Sequence, residues 1–326
     1  MSAEMPRTSE DARLQVLEML VDGAPADAIV MRALSAGLDS GEITDIVNKL
    51  SVELQRSKRH REECEDYAVW MAGVHRALQD GPCHVPVLEH IDAAHFYSEY
   101  YALNRPVLIS RALRDSAGAI TFDQLKRKYS GEIVEIMRGR VSGQSDFVNR
   151  ERWRTQVQFE AFIDEILTVE TNELYLTSHN NAITGPLGSI VVDLSPLEHL
   201  MKPDNFKDAS LWIGPKGAIS ALHYDRVNVM LVEVLGVKRI TLFQPYEECF
   251  LYHDEEGFSS PVDPKAPDLR TYPLYRFARP HSVEVHPGSA LFIPVGWWHH
   301  VESLSPSFSI SMSNFLGTHD FPSTLF

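Results

Sequence analysis

Residues 287–301 read Pro-Gly-Ser-Ala-Leu-Phe-Ile-Pro-Val-Gly-Trp-Trp-His-His-Val, and this stretch indicates the fold of the chain. Its first Pro-Gly pair predicts a turn, its apolar run a buried strand, and the later Pro and Gly a kink before a second strand. Further short apolar runs bounded by turn residues occur at 106–109, 133–136, 173–176, 210–213, 228–234, 239–243, 282–285 and 308–314. Helical patterns interrupt these runs only at about 92–103, 121–129 and 158–167. Many short strands without regular alternation of strand and helix favour an antiparallel barrel or a double-sheet jelly roll.

The N-terminal 80 residues differ from the rest of the chain in the spacing of their apolar and charged residues. Apolar residues recur there at helical spacing, and a long charged segment over 55–79 ends at Asp80-Gly81-Pro82. We therefore predict a helical module over 1–80 and a mainly β domain over 81–326. The narrow apolar stripes of the module are suited to packing against the second domain or against a second copy, so a homodimer would form through these helices.

A basic run, Arg56-Ser57-Lys58-Arg59-His60-Arg61, lies within the helical module. Such a run can be a nucleic-acid or targeting patch. Because Glu62, Glu63, Glu65 and Asp66 follow at once, it can equally be a solvated helix face with paired charges, and we favour that second interpretation.

Composition limits the partners of the protein. The chain has 326 residues, with 30 Lys and Arg against 45 Asp and Glu, a formal net charge of -15. This charge repels phosphate backbones and argues against a nucleic-acid partner.

No run approaches ~18 uninterrupted apolar residues, and the N-terminus lacks a secretory pattern, so we expect neither a membrane span nor secretion. Three scattered cysteines, without metal-like spacing, fit a reducing, cytoplasmic setting.

Candidate metal ligands occur in two strand-like segments, 76 positions apart. His223 and Asp225 share one side of an extended chain, because residues i and i+2 face the same way. A second imidazole would come from His299 or His300, of which only one can point to the same side. Two imidazoles and one carboxylate suit Fe(II) and leave positions open for a cosubstrate and O2, although zinc accepts these ligands as well.

Seven segments in order along the chain carry a family resemblance: Asn104-Arg105-Pro106-Val107, Leu174-Tyr175-Leu176, Leu211-Trp212-Ile213-Gly214, His223-Tyr224-Asp225, Gly236-Val237-Lys238-Arg239, Pro294-Val295-Gly296-Trp297-Trp298-His299 and Asn314-Phe315. With these motifs, residues 85–316 resemble the Jumonji-C, cupin-type family of Fe(II)- and 2-oxoglutarate-dependent oxygenases. The hydroxylase branch, which includes the asparaginyl hydroxylase that inhibits hypoxia-inducible factor, is the most similar. The resemblance implies a double-stranded β-helix core, a jelly roll of the cupin type.

The resemblance also implies roles for individual residues. The iron ligands would be His223, Asp225 and His299, with His300 pointing away. The 2-oxoglutarate cosubstrate would lie against Lys238, Tyr175, Ser220 and Asn314. Lys238 and Tyr175 would hold the distal carboxylate, and charge considerations support the lysine, because a buried dicarboxylate needs a cationic partner.

Some positions depart from the family pattern. Val229 and Glu233 stand where many members have Asn and Gln, six and ten residues after the first histidine. The floor of the site is therefore altered, and the substrate cannot be carried over from a named member. The long, polar, Pro-rich segment 252–281 is either a substrate lid or a plain surface insertion.

The sequence therefore predicts an oxygenase that uses Fe(II), 2-oxoglutarate and O2. It would hydroxylate a C–H bond of a peptide, a protein side chain or an amino acid, with succinate and CO2 as coproducts. Three alternatives stay open: a demethylase of the same family, a non-catalytic metal-binding cupin used for sensing or scaffolding, and a Zn-dependent isomerase or hydrolase on the same barrel.

Overall fold

The computed structural model describes residues 67–77, 84–113, 120–140, 150–190, 194–202, 209–253 and 258–317, with residues 31, 34, 41 and 192 singly. The chain divides into two compact units, Met1–Arg76 and Ala77–Phe326. Within the first unit, the described residues are helical. The rest of the predicted helical module, with the basic run 56–61 and the surface proposed for a homodimer, lies outside the described residues. In the described part of the chain, no helix is both long and apolar enough to cross a membrane.

The described part of the second unit contains thirteen strands: β1 (Val87–Leu88), β2 (Val107–Ile109), β3 (Ile133–Arg138), β4 (Arg154–Gln158), β5 (Leu174–Tyr175), β6 (Ser210–Gly214), β7 (Ile219–Tyr224), β8 (Val229–Leu235), β9 (Lys238–Phe243), β10 (His281–Val285), β11 (Ala290–Ile293), β12 (Trp298–Ser303) and β13 (Ser307–Met312). The predicted runs coincide with strands to within one or two residues. The polar strand β4 and the two-residue strand β1 were not predicted.

The α-helices of the described part of the second unit beyond residue 84 are short. They are α1 (Ala93–His95), which continues into a π-helical segment over Phe96–Tyr101, α2 (Phe122–Lys128) and α3 (Phe159–Ile166). The α2 helix begins where Thr121 and Gln124 form a reciprocal capping box. The α3 helix buries one apolar face, made of Phe159, Phe162, Ile163 and Ile166. Short 3-10 segments lie at Arg150–Trp153, Ser178–Asn180, Ala182–Thr184, Ser195–Leu197, Pro245–Phe250 and Pro273–Phe277.

The eight strands from β6 to β13, together with β1 and β2, form two facing sheets. One sheet has the order β1-β2-β11-β8-β13-β6 and the other β10-β9-β12-β7, and every neighbouring pair is antiparallel except β1 with β2. Apolar residues of both sheets, among them Leu231 and Leu291 from the first and Ile240 and Leu242 from the second, pack into one cluster between them. The predicted double-stranded β-helix is thereby confirmed.

The outer face of the four-stranded sheet is covered by part of segment 252–281. Val262 and Tyr275 are buried there against Phe243 and Trp298. Residues 258–260 also pair with the edge of β7: the Tyr224 backbone N–H donates to the Phe258 carbonyl at 3.0 Å, and that of Ser260 to the Leu222 carbonyl at 2.8 Å. Burial of each large apolar side chain contributes about 1.5–3 kcal/mol. The described part of the segment therefore contributes a layer over the outer face of this sheet.

A third, three-stranded sheet of order β4-β3-β5 lies beside the jelly roll. The end of β5 is tied to β6, because Leu176 and Ile213 exchange backbone hydrogen bonds of 2.9 and 3.0 Å. This pairing places Tyr175 next to the interior between the two large sheets.

Candidate metal centre and its cavity

A cavity of about 300 Å³ opens between the two facing sheets. Its walls are partly apolar, including Trp212, Val229, Leu231, Ile293 and Val301. Polar groups converge at two places, a mouth that carries His223, Asp225 and His299 and a closed end that carries Tyr175 and Lys238. Apolar walls with a few convergent polar groups are typical of small-molecule sites.

The three predicted metal ligands lie together at the mouth. His223 lies near the end of β7 and pairs directly with His299, which lies near the start of β12. Their imidazole centroids are 4.2 Å apart, and His299 Nε2 lies 3.7 Å from Asp225 Oδ2. One ligand atom from each of the three residues lies within 4.8 Å of the other two. A single ion can therefore contact all three.

Backbone carbonyls orient both imidazoles. His223 Nδ1 lies 2.7 Å from the Ala221 carbonyl oxygen, and His299 Nδ1 lies 3.0 Å from that of Trp297. Since a carbonyl only accepts, each Nδ1 carries a proton, and Nε2 is the ring nitrogen that can bind a metal. Burial, and after it the neighbouring His223, lower the pKa of His299 to about 4, so this imidazole is neutral at pH 7. Two imidazoles and a carboxylate fit a divalent transition metal.

His300 faces the other side of the sheet, as predicted. It is buried but is not among the residues that line the cavity. The charged groups nearest to it are Asp263 and Glu302, which belong to the covering segment and to β12. Burial lowers the pKa of His300 to about 4 as well. The two adjacent histidines therefore have similar burial but different surroundings.

A β-bulge brings Ser220 to the same side as His223. Strict alternation would send residues three apart to opposite faces. The register of β12 with β7 shifts, however, because His299 pairs with His223 while Val301 pairs with Ser220. One extra residue in β7 is accommodated there, and Ser220 lines the cavity together with His223.

Lys238 and Tyr175 meet at the closed end. The Lys238 ammonium is 1% exposed and donates to the Tyr175 hydroxyl oxygen at 3.1 Å. Gly214 gives the tyrosine ring its room, because a Cβ there would lie 2.6 Å from Tyr175 Cδ2. The Arg140 guanidinium lies 5.2 Å from the centroid of the same ring. A fixed phenol and a buried ammonium form a suitable cradle for a carboxylate.

Asn314 was predicted near the cosubstrate, but it is not among the residues that line the cavity. Its amide Nδ2 donates to the Lys202 carbonyl at 2.8 Å, which ties the segment after β13 to Lys202. Its neighbours Ser311, Met312 and Ser313 line the cavity instead. The sequence motif thus predicted that Asn314 lies near the cavity, but the residue is not part of the cavity wall.

Sequence reasoning noted Glu233 as a departure but gave it no role. It lies on β8, is fully buried, and accepts a hydrogen bond from the Ser309 hydroxyl at 2.7 Å. The sequence does contain a signal for this residue. It is the only acid in the otherwise apolar strand Val229–Leu235, and it falls on the same face of the strand as Val229 and Leu231.

A family profile described as "Cupin-like domain" matches residues 93–316. "Jumonji C domain-containing protein 5" of Drosophila melanogaster is 39% identical over 107 residues, which cover 32% of this chain and 27% of that protein. "Lysine-specific demethylase 8" of Xenopus tropicalis is 26% identical over 239 residues, which cover 70% of this chain and 51% of that protein.

Among solved structures, the ribosomal oxygenase YcfD from Escherichia coli, in complex with cobalt and 2-oxoglutarate, is similar with a TM-score of 0.42 and 16% identity. The match covers 70% of this chain and 52% of that one. At this TM-score the likeness supports no argument of its own. The chain thus spans about half or less of the length of the proteins that it matches.

Proposed function

Because this chain belongs to the family of cupin-like, Jumonji-C domains, we propose that it is an Fe(II)- and 2-oxoglutarate-dependent oxygenase that hydroxylates a C–H bond. One observation carries the proposal. A site for a metal, made by His223, Asp225 and His299, and a cradle for a carboxylate, made by Lys238 and Tyr175, share one cavity. A metal-binding cupin without turnover needs the first group of residues but not the second.

Each group of residues has a separate task. His223, Asp225 and His299 would hold the metal through two Nε2 atoms and a carboxylate oxygen. Lys238 and Tyr175 would hold the distal carboxylate of 2-oxoglutarate, and Ser220 would offer a hydroxyl to it. The walls made by Leu231, Ile293 and Val301 exclude water from the space between the two groups. With O2, bound iron and 2-oxoglutarate supply an oxidant for a substrate C–H bond, with succinate and CO2 as coproducts.

The substrate reaches this chemistry at the mouth. A cavity of about 300 Å³ has room for a small cosubstrate and the tip of a side chain, but not for a folded surface. The net charge of -15 suits a neutral or basic partner. A peptide, a protein side chain or a free amino acid meets these conditions.

Demethylation is the second candidate outcome. The relative from Xenopus tropicalis is named as a lysine-specific demethylase. Hydroxylation of an N-methyl group yields a carbinolamine that releases formaldehyde, so the same site can serve both reactions. Formaldehyde release from a methylated peptide would distinguish demethylation from a stable hydroxylated product.

The proposal is tested by titrating 2-oxoglutarate into the anaerobic, Fe(II)-loaded protein and recording the weak visible charge-transfer band of the chelate. We expect the band in the wild type and its loss in His223→Ala. Lys238→Ala should weaken 2-oxoglutarate binding about 10- to 100-fold, because hydrogen bonds to charged groups contribute ~1.5–3 kcal/mol. Arg239→Ala is the matched control, since this neighbouring cation is exposed and pairs with Glu284. Bound iron without any band would leave the non-catalytic metal cupin as the better interpretation.

A further inference from the structure

The buried carboxyl group of Glu233 has no part in the site described above, and Glu233 is not itself among the residues that line the cavity. Glu233 on β8 is fully buried and has the parity of Val229 and Leu231, both of which line the cavity. Since side chains alternate along a strand, Glu233 points into the interior between the two sheets. Acidic residues are almost never fully buried unless they are paired, so this position calls for a reason.

The two oxygens of Glu233 are in different situations. Oε2 accepts the hydrogen bond from the Ser309 hydroxyl. Oε1 is buried and finds no hydrogen-bond partner among the residues that the structure describes. A buried polar atom without a partner costs ~1–3 kcal/mol, and one explanation for its retention is a ligand that completes the site.

The surroundings of Glu233 contain one positive charge that acts on it. Lys238 lies close enough to lower its pKa, and Tyr175 belongs to the same group because it accepts a hydrogen bond from Lys238. The neighbouring strands β13 (Ser307–Met312) and β11 (Ala290–Ile293) contribute no titratable side chain. Burial outweighs the lysine and raises the pKa of Glu233 to about 8. At pH 7 the carboxyl group is therefore mainly protonated and able to donate.

Protonation of Glu233 improves the charge balance when a dicarboxylate binds. A dicarboxylate bound at Lys238 brings a negative carboxylate into the same buried space. With ionised Glu233, two carboxylates would share one ammonium, whereas with protonated Glu233 one ammonium faces one carboxylate. The neutral acid also supplies a hydrogen-bond donor where an anion supplies none.

We propose that Glu233 is a further binding residue for the dicarboxylate cosubstrate. Its Oε1 donates a hydrogen bond to the distal carboxylate that Lys238 and Tyr175 hold. This inference rests on the proposed function and deepens it. It predicts that 2-oxoglutarate binds together with a proton wherever Glu233 is ionised in the empty site.

The pH dependence follows from the free-site pKa of about 8. Below pH 7 the group already holds its proton, so the affinity for 2-oxoglutarate is constant. Above pH 8 each bound molecule requires a proton from solution, so the affinity falls about tenfold between pH 7 and pH 9. Proton uptake approaches one per ligand over the same range.

The experiment is isothermal titration calorimetry of 2-oxoglutarate into Mn(II)-loaded, full-length protein under argon. It is run from pH 6.5 to 9 in two buffers of different ionisation enthalpy, which gives both the affinity and the proton uptake. Glu233→Gln puts its amide Nε2, a donor, in place of the protonated oxygen but cannot ionise. Ser309→Ala removes the hydroxyl that favours the ionised form. Glu284→Gln, an exposed acid on β10, controls for the change in net charge.

We expect Glu233→Gln to bind at neutral pH as the wild type does, without the fall at high pH and without proton uptake. Ser309→Ala should move the fall to higher pH, and this variant decides the matter if Glu233→Gln does not fold. An unchanged pH profile in these variants overturns the role of Glu233 and leaves the oxygenase proposal standing. No binding of 2-oxoglutarate by the wild type at any pH overturns both.

Discussion

The mouth and the closed end of the cavity lie between the same two sheets, but they handle charge differently. At the mouth, the Asp225 side chain is 37% exposed and stands beside two imidazoles, next to solvent. Towards the closed end, Lys238 and Glu233 are both buried away from water. The mouth is thus suited to a positive ion that arrives from solution. The closed end is suited to an anion whose charge is balanced by the buried Lys238 ammonium.

The largest effect should come from comparing alanine variants of the two adjacent histidines, His299 at the mouth and His300 on the opposite face of the sheet. His299→Ala should weaken metal binding by at least about a hundredfold, because loss of an outer-shell partner alone costs 10–100-fold. His300→Ala removes a similar volume from the opposite face and should leave metal affinity within a few-fold of the wild type. The measurement is the Mn(II) affinity of both variants, with circular dichroism to show that each is folded.

The outcome that would contradict this assignment is specific. If His300→Ala lost the metal and His299→Ala kept it, the ligand would be the other histidine and the register of β12 would be wrong by one residue. Because a slip of one residue reverses every side chain of a strand, the pair of variants tests the register as well as the site.

A smaller effect should follow from crowding the closed end. In Gly214→Ala, the new Cβ would meet the Tyr175 ring at 2.6 Å, so the phenol must move away from Lys238. We expect 2-oxoglutarate to bind about tenfold more weakly, with Mn(II) affinity unchanged, because one hydrogen bond to a charged group is lost. Gly131→Ala is the control, since a Cβ there would have no neighbour within 4 Å. Equal 2-oxoglutarate affinity in Gly214→Ala would remove Tyr175 from the cradle.

A separate effect concerns stability in the absence of ligand. The pKa of Glu233 in the folded protein is about 8, above its ordinary value of 4.5. A raised folded-state pKa means that the folded protein binds the extra proton between these values, so this contribution to stability is full below pH 4.5 and is lost as pH rises towards 8. The difference in unfolding free energy between wild type and Glu233→Gln should change by up to about 1.4 kcal/mol per pH unit. Chemical denaturation at pH 5.5, 7 and 8.5 measures it, and a difference independent of pH would contradict the assignment.

Most of the fold could be predicted from the sequence, because the patterns that indicate strands and turns are local. Short apolar runs with turn residues predicted the strands that make up the two large sheets, and His223, Asp225 and His299 meet because they lie near the ends of paired strands. The polar strand β4, with Arg154–Gln158 half-buried or exposed, gave no apolar signal from which to predict it.

The features that the sequence did not reveal depend on register and on burial. A bulge in β7 puts Ser220 on the side of His223, although a three-residue spacing in an even strand would separate them. Asn314 follows β13 but turns towards Lys202. The buried state of Glu233 depends on residues distant in sequence, among them Ser309 on β13. Each of these outcomes is set by strand pairing, which a single sequence does not specify.

The pairing of residues 258–260 with β7 has a consequence for how other chains can approach. β7 is the last strand of its sheet, and its free edge would otherwise offer unpaired N–H and C=O groups as a template for aggregation or for addition of an extended peptide. Over Leu222–Tyr224 these groups are already bonded to Phe258 and Ser260. An extended peptide therefore cannot add a strand beside His223 without displacing residues 258–260.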